Sequence, residues 1–373
     1  MAISPRAALV AALASLAACG DGSTSPGAAL KFYEPAGSPY VIEGGVNSIA
    51  VGDVDGDGIP DLVVAGGPSG RISVLPGNGD GTFPAVRTYA AGFDAHSPVI
   101  GDLDSDGRAD IAVGLGEESN IAVLLGSGGG SFDPPRIFAT GDYPTSLALG
   151  DLNDDGALDL AVGAFFSGAT VHLGRGDGTF SEEHPIARGT GVSAVAIADL
   201  DRDGSADVLA ANSMADQVAV LLGSGEGTFH LALMLNVGSQ SLHVATGDFN
   251  SDHIPDLAVV NGFTNDVAVV IGRGDGTFAT LQRFRVGNSP RAVAAGDLDG
   301  DGNLDLAVAN LSSNDVTVLR GRGDGTFVDW RKQKVGAGPL GLVMADLDRD
   351  GTLDLAVVNA GSSSVTVLLN RRS

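Results

Sequence analysis

The sequence is poor in several residues whose scarcity narrows what the protein can be. It has one cysteine, Cys19, so no intramolecular disulfide can form. Basic residues are few: 21 Lys and Arg stand against 46 Asp and Glu, a formal charge of −25. With no basic patch to neutralise phosphates, the acidity argues against nucleic acid as a partner. Aromatic residues make up only 5% of the chain, and no helical period persists anywhere along it. What the chain has instead is glycine, 56 residues of 373, and aspartate.

The aspartates are not scattered. Nine-residue segments begin at Asp53 (DVDGDGIPD), Asp102 (DLDSDGRAD), Asp151 (DLNDDGALD), Asp199 (DLDRDGSAD), Asp248 (DFNSDHIPD), Asp297 (DLDGDGNLD) and Asp346 (DLDRDGTLD), at steps of 49, 49, 48, 49, 49 and 49 residues. A fixed period of this size marks a repeat architecture. A chain of this length would ordinarily suggest two or more domains, but the unbroken repeat predicts one closed array. A second motif keeps the same beat: GNGDGTF from Gly77, GSGGGSF from Gly126, GRGDGTF from Gly174, GSGEGTF from Gly223, and GRGDGTF from Gly272 and Gly321. There are six of these; LLNRRS stands where a seventh would fall.

One repeat, residues 290 to 338, reads as four short strands. PRAVAAG is small and apolar, and the aspartate segment follows as a loop. DLAVAN is a buried strand, VTVLRG alternates, RGDGT is a tight hairpin, and FVDWRKQKVG is a polar outer strand. Four strands per repeat of this size predict a β-propeller blade. The strands are named A to D from the centre outwards. The small residues Ala50, Ala148, Ala196, Ala245 and Ala294 of strand A suit a crowded centre. The expected fold is all-β: a seven-bladed β-propeller over residues 30–373. The last blade has A (340–345), B (354–359) and C (364–369) but no D. LKFYE, residues 30–34, aligns with the D strands of the other repeats and is expected to complete that blade, removing an exposed edge.

The aspartate loops offer hard oxygens at positions 1, 3, 5 and 9. The candidate metal ligands are Asp53, Asp55, Asp57 and Asp61 in loop one and Asp102, Asp104, Asp106 and Asp110 in loop two. Loop three offers Asp151, Asn153, Asp155 and Asp159; loop four offers Asp199, Asp201, Asp203 and Asp207. Loop five offers Asp248, Asn250, Asp252 and Asp256, loop six Asp297, Asp299, Asp301 and Asp305, and loop seven Asp346, Asp348, Asp350 and Asp354. These positions hold 26 of the 46 acidic residues, so the negative charge is chiefly a property of one motif. Several flexible oxygens suit Ca²⁺, which takes six to eight of them, and the glycine at position 6 permits the turn that wraps an ion. About seven Ca²⁺ sites are expected. Loop five has His253 at position 6, which marks it as the weakest site, and loop three, with Asn153, as the next. The GxGDGTF turns lack the lysine and helix of a phosphate loop and read as structural hairpins.

The D-x-D-x-D-G-x-x-D loop before an apolar strand, together with G-x-G-D-G-T-F, resembles the FG-GAP or VCBS repeats of integrin α-chain propellers and of many secreted bacterial proteins. The resemblance covers residues 30 to 370. It implies a seven-bladed propeller with Ca²⁺ in hairpin loops, and it does not imply an enzyme.

The face carrying the aspartate loops is repetitive and reads as scaffold. On the opposite face, Asn47, His96, Thr145, Ser193, Leu242, Arg291 and Leu340 are expected to ring the channel mouth, with Phe165, Phe166, Met214 and Phe263 on the B–C loops beside it. Aromatics among a few polar groups suit a glycan or protein ligand. A non-catalytic binding or adhesion module is therefore expected. The alternative is a polysaccharide lyase or glycosidase using the mouth, for which the sequence shows no nucleophile motif. At the amino terminus, MAISPR precedes the short apolar run AALVAALASLAAC. Residues 1–18 read as a signal peptide, Leu16 to Cys19 resemble the bacterial lipobox with Cys19 as the acylated residue, and residues 19–29 read as a tether. An exported, monomeric protein, held at the cell envelope only through lipid on Cys19, is the expectation.

Overall fold

The computed structural model describes residues 30–371. Cys19, the signal segment and the tether lie outside them.

Seven antiparallel blade sheets follow one another along the chain, with a separate two-stranded hairpin, Gly126–Gly128 and Ser131–Phe132, in blade two. Blade one is typical: strand A is Ser48–Gly52, B is Asp61–Ala65, C is Arg71–Leu75 and D is Arg87–Ala90. Blade six matches the strands expected from its sequence, at Pro290–Gly296, Asp305–Asn310, Asp315–Gly321 and Phe327–Lys334. The only helical element among the described residues is a 3₁₀ turn, Ala360–Ser362, and no described helix is long and apolar enough to cross a membrane.

The core is divided among the gaps between blades. Each strand B sends alternate residues to opposite neighbours. In blade one, Leu62 and Val64 pack with Ala356, Val358, Val365 and Val367 of blade seven, while Val63 and Ala65 pack with Ile111, Val113 and Leu115 of blade two. Because both faces are covered, strand B reads as a continuous apolar run rather than an alternating one. Seven such clusters occupy the seven gaps, and the one joining blades seven and one closes the ring.

The amino-terminal clasp is present and longer than the sequence suggested. Phe32–Tyr33 pairs antiparallel with Ser364–Asn370, strand C of the last blade. After an interruption, Tyr40–Val41 pairs with the same strand at Val365 and Ser364. The outer strand of blade seven is therefore built in two pieces.

Candidate functional site

Each aspartate loop is first an assembly of backbone N–H groups closing on carboxylates. In all seven loops the position-6 N–H donates to the position-1 carboxylate, as from Gly58 to Asp53 at 2.8 Å, and the position-7 N–H donates to position 5, as from Ile59 to Asp57 at 2.8 Å. The position-5 N–H donates to position 3, as from Asp57 to Asp55 at 3.3 Å. Position 6 has positive φ in every loop, at 80° for Gly58 and 63° for His253. Position 4 does too, although only Gly56 and Gly300 are glycines there; Ser105, Asp154, Arg202, Ser251 and Arg349 take the same conformation. The sequence reading anticipated the first left-handed position and missed the second. The His253 side chain is 91% exposed, with its Nδ1 3.6 Å from Asp248 Oδ2.

The position-9 aspartate has a separate role. It opens strand B and is fully buried in all seven blades. One oxygen accepts the position-2 N–H and the other accepts the N–H of the first glycine in the GxGDGTF motif: Asp61 binds Val54 at 2.9 Å and Gly77 at 2.7 Å. In blade seven the partners of Asp354 are Leu347 and Asn370. The two sequence motifs thus meet at one carboxylate. Burial pushes the carboxyls of Asp61, Asp159, Asp207 and Asp256 up to about 6 and those of Asp305 and Asp354 to about 7, against the pull of the two N–H groups, with nearby loop aspartates adding to the rise. Burial raises Asp110 in the same way.

The N–H groups take one oxygen each at positions 3 and 5 and leave the second to other partners. In five loops three carboxylate oxygens converge within 4.8 Å of one another: Asp53, Asp55 and Asp57; Asp102, Asp104 and Asp110; Asp199, Asp201 and Asp203; Asp297, Asp299 and Asp305; Asp346, Asp348 and Asp354. In loop four, Asp199 Oδ1 is buried without a hydrogen-bond partner, a costly state unless a cation meets it. An all-oxygen donor set of this kind fits a hard divalent ion. In loops three and five the asparagine amide itself bridges to position 5, Asn153 to Asp155 Oδ2 at 3.0 Å and Asn250 to Asp252 Oδ2 at 2.8 Å.

At the opposite end of the channel is a cavity of about 740 Å³. Six of the seven expected ring residues line it: Asn47, Thr145, Ser193, Leu242, Arg291 and Leu340, joined by Phe165, Met214 and Phe263. His96 is absent from the lining. Its Nδ1 lies 2.6 Å from the Asn47 amide and its Nε2 lies 3.0 Å from Asp94. Phe166 also stands outside the lining, edge-on to Phe165 and Tyr143 at 5.1 and 5.9 Å. Thr145 and Ser193 donate to backbone carbonyls of the next blade, Val192 at 2.9 Å and Ser241 at 2.7 Å, so they also tie blades together.

Arg291 is the one Lys or Arg lining the cavity among the described residues. Its Nε is buried without a partner. His243 stands beside it in the wall, also with an unpartnered buried Nδ1, and burial lowers its pKa to about 4. The sequence reading missed Gln240 and Asp216. Asp216 occupies the turn position of Asn265 and Asn314, where the side chain accepts an N–H of the following D–A loop, here Gln240 at 2.7 Å.

Comparison with known proteins agrees with this geometry. The family model of the FG-GAP-like repeat matches six overlapping segments, residues 53–113, 111–162, 151–210, 199–259, 248–308 and 297–357. No curated protein matches the chain. Solved structures share the fold at low identity. A lectin of Agrocybe aegerita, whose structure is described as specific recognition of non-reducing terminal N-acetylglucosamine, is 19% identical, with 87% of each chain covered and a TM-score of 0.57. The BBS1N chain from its complex with ARL6DN is 13% identical over 92% of this chain and 98% of that one, with a TM-score of 0.66. A protein of unknown function from Desulfotomaculum acetoxidans is 13% identical over 80% and 92%, with a TM-score of 0.57.

Proposed function

The chain belongs to the FG-GAP repeat family, and from that premise we propose that it is a calcium-stabilised, non-catalytic binding module whose ligand, a glycan or a protein, seats at the channel mouth opposite the aspartate loops. The observation that carries this reading is the contrast between the two ends of the channel. One end repeats the same loop seven times. At the other, a 740 Å³ cavity is lined at equivalent positions of six blades by five different residue types, Asn47, Thr145, Ser193, Leu242, Arg291 and Leu340. Beside it, three successive blades expose large apolar groups, Phe166, Met214 and Phe263 at 58%, 65% and 73%. Such a concentration supports a contact surface, and Arg291 is placed to receive an anionic group of the ligand.

Calcium is the ion that the loop chemistry favours. Seven loops supply carboxylate and amide oxygens without sulfur or imidazole ligands, and Ca²⁺ takes six to eight such hard oxygens. When bound, the ion supplies positive charge to clustered carboxylates; the chain's own N–H groups orient them.

Lyase or glycosidase chemistry at the mouth would need a free acid–base group. His96 is held through Nδ1 at 2.6 Å from the Asn47 amide and stands outside the cavity lining, and His243 is kept neutral by burial. Both facts favour binding over catalysis. The sequence around Cys19 supports export and lipid anchoring at the bacterial envelope, and a mature amino terminus without acylated Cys19 by mass spectrometry would refute that part.

The deciding experiment is a glycan array probed with the Ca²⁺-loaded protein, with sugar release assayed in parallel. Retention without release, lost in Arg291→Ala, is the expected result. Release of sugar would replace this reading with the enzymatic one.

A further inference from the structure

We infer that loop six carries its own cation: the Arg320 guanidinium takes the place a divalent metal takes in the other loops, so blade six closes without metal. This rests on the calcium reading of those loops.

Arg320 comes from strand C of the same blade. Its Nε lies 2.7 Å from Asp299 Oδ2 and its Nη2 donates to Asp301 Oδ2 at 2.9 Å. Those are the position-3 and position-5 oxygens that the loop's N–H groups leave free. Their other oxygens are already taken, Asp299 Oδ1 by the Asp301 N–H at 3.1 Å and Asp301 Oδ1 by the Asn303 N–H at 2.9 Å. Loop six therefore has a neighbour for both oxygens of both carboxylates, Asp299 Oδ2 being met by the Arg320 charge as an ion pair and not by a hydrogen bond. In loops one, four and seven the corresponding Oδ2 atoms have no hydrogen-bond or ion-pair partner among the described residues.

The substitution is particular to this blade. The residue preceding the first glycine of the hairpin motif, or aligned with that place, is Pro76, Leu125, Leu173, Leu222, Ile271 and Leu369 in the other six. An arginine there reaches under its own loop. The Asp299 side chain is 1% exposed, and a carboxylate so desolvated needs a charge partner. A planar guanidinium can fork between two carboxylates, which an ammonium does less well. The guanidinium also lies 5.7 Å from the ring centre of Trp330, the only tryptophan in the sequence, which braces it from strand D.

Loop two offers an instructive contrast. There Arg108 pairs with Asp106 but not with Asp104, its Nε donates to the Gly126 carbonyl at 2.8 Å, and its side chain is 53% exposed, so only one of the two loop carboxylates is occupied. Arg320 is held on both carboxylates and against the tryptophan, and a divalent cation beside it would meet like charge.

The test is a crystal structure of the wild-type protein saturated with Ca²⁺, read with the anomalous signal of the metal, beside Arg320→Leu treated identically. The expected result is metal in other loops and none in loop six of the wild type, with loop six filled in the variant. Calcium in loop six of the wild type, with Arg320 displaced, overturns this inference alone. Calcium in no loop overturns the calcium reading and this inference with it. Should Arg320→Leu fail to fold, amide exchange of the wild type gives a second readout. Chelator should leave residues 297–305 as protected as before while exchange in residues 53–61 accelerates about tenfold or more; equal acceleration in both loops overturns the inference.

Discussion

The Asn370 side chain donates to the carbonyl of Leu298 at 2.7 Å, across the gap between blades seven and six. In five other gaps that bond comes from a hairpin. Gly81 donates to Leu347, Gly178 to Leu103, Gly227 to Leu152, Gly276 to Leu200 and Gly325 to Phe249, each from a GxGDGTF turn to position 2 of the preceding blade's aspartate loop. Blade seven lacks the motif, and an asparagine amide supplies the missing donor. Asn370→Ala should therefore strand a buried carbonyl and cost about 1–3 kcal/mol. Denaturant titration in Ca²⁺ measures it, and a loss of under about 0.5 kcal/mol would show that the bridge is dispensable.

Chelation should destabilise the protein and calcium should restore it, because a ligand bound only by the folded state adds stability by mass action. The loops should not fill together. Loops one, four and seven present the most free carboxylate oxygens and should fill first. Loops three and five must first give up the Asn153 and Asn250 amide bridges and should fill later. Occupancies in crystals grown at limiting metal give the order, and identical melting curves in chelator and in millimolar Ca²⁺ would remove the metal from the account.

The clasp should behave as two separable pieces. Deleting residues 30–34 removes the pairing of Phe32 and Tyr33 but leaves Tyr40–Val41 on the edge of blade seven. A partial loss of stability is expected. Deleting residues 30–41 should bare the whole edge and cause aggregation. Light scattering with thermal melts distinguishes the two, and a stable monomer from the longer deletion would show that strand C of blade seven needs no cover.

His243 should resist protonation. Burial sets its folded pKa at about 4, below the ordinary value of about 6.5 for an unfolded chain. The unfolded state therefore binds the proton first, and stability falls as pH drops from about 6.5 towards 4. Above that window the residue contributes no pH dependence. His243→Gln should flatten the acid side of the stability profile, and an NMR titration of the ring should show a midpoint far below those of exposed histidines. A midpoint near 6.5 would contradict the assignment.

Much of this architecture was legible in the sequence because its physical signals are local. A period of 49 residues, a continuous apolar strand B and a polar strand D each reflect which faces of a strand meet water. The aspartate loop was legible for the same reason: glycine at position 6 and oxygens at fixed offsets are demands made within nine residues. His253 shows the limit of that reading. The left-handed turn it occupies was foreseen, but the direction of its side chain, out into solvent, depends on what surrounds the loop.

The sequence by itself determined the blade, the number of blades and the positions of the carboxylates. Tertiary structure decided which carboxylates remain free. Arg320 is a lone departure in a strand that otherwise carries apolar residues there, and nothing in its own segment says that it reaches Asp299 and Asp301. Asn370 gives no hint that it answers for a missing hairpin 72 residues from its acceptor. His96, spaced like the other ring residues, is drawn aside by Asp94 and Asn47. In each case the deciding partner is distant in sequence or on another strand. Period and pattern report how a segment meets solvent and core, whereas a hydrogen bond between segments exists only once the ring has closed.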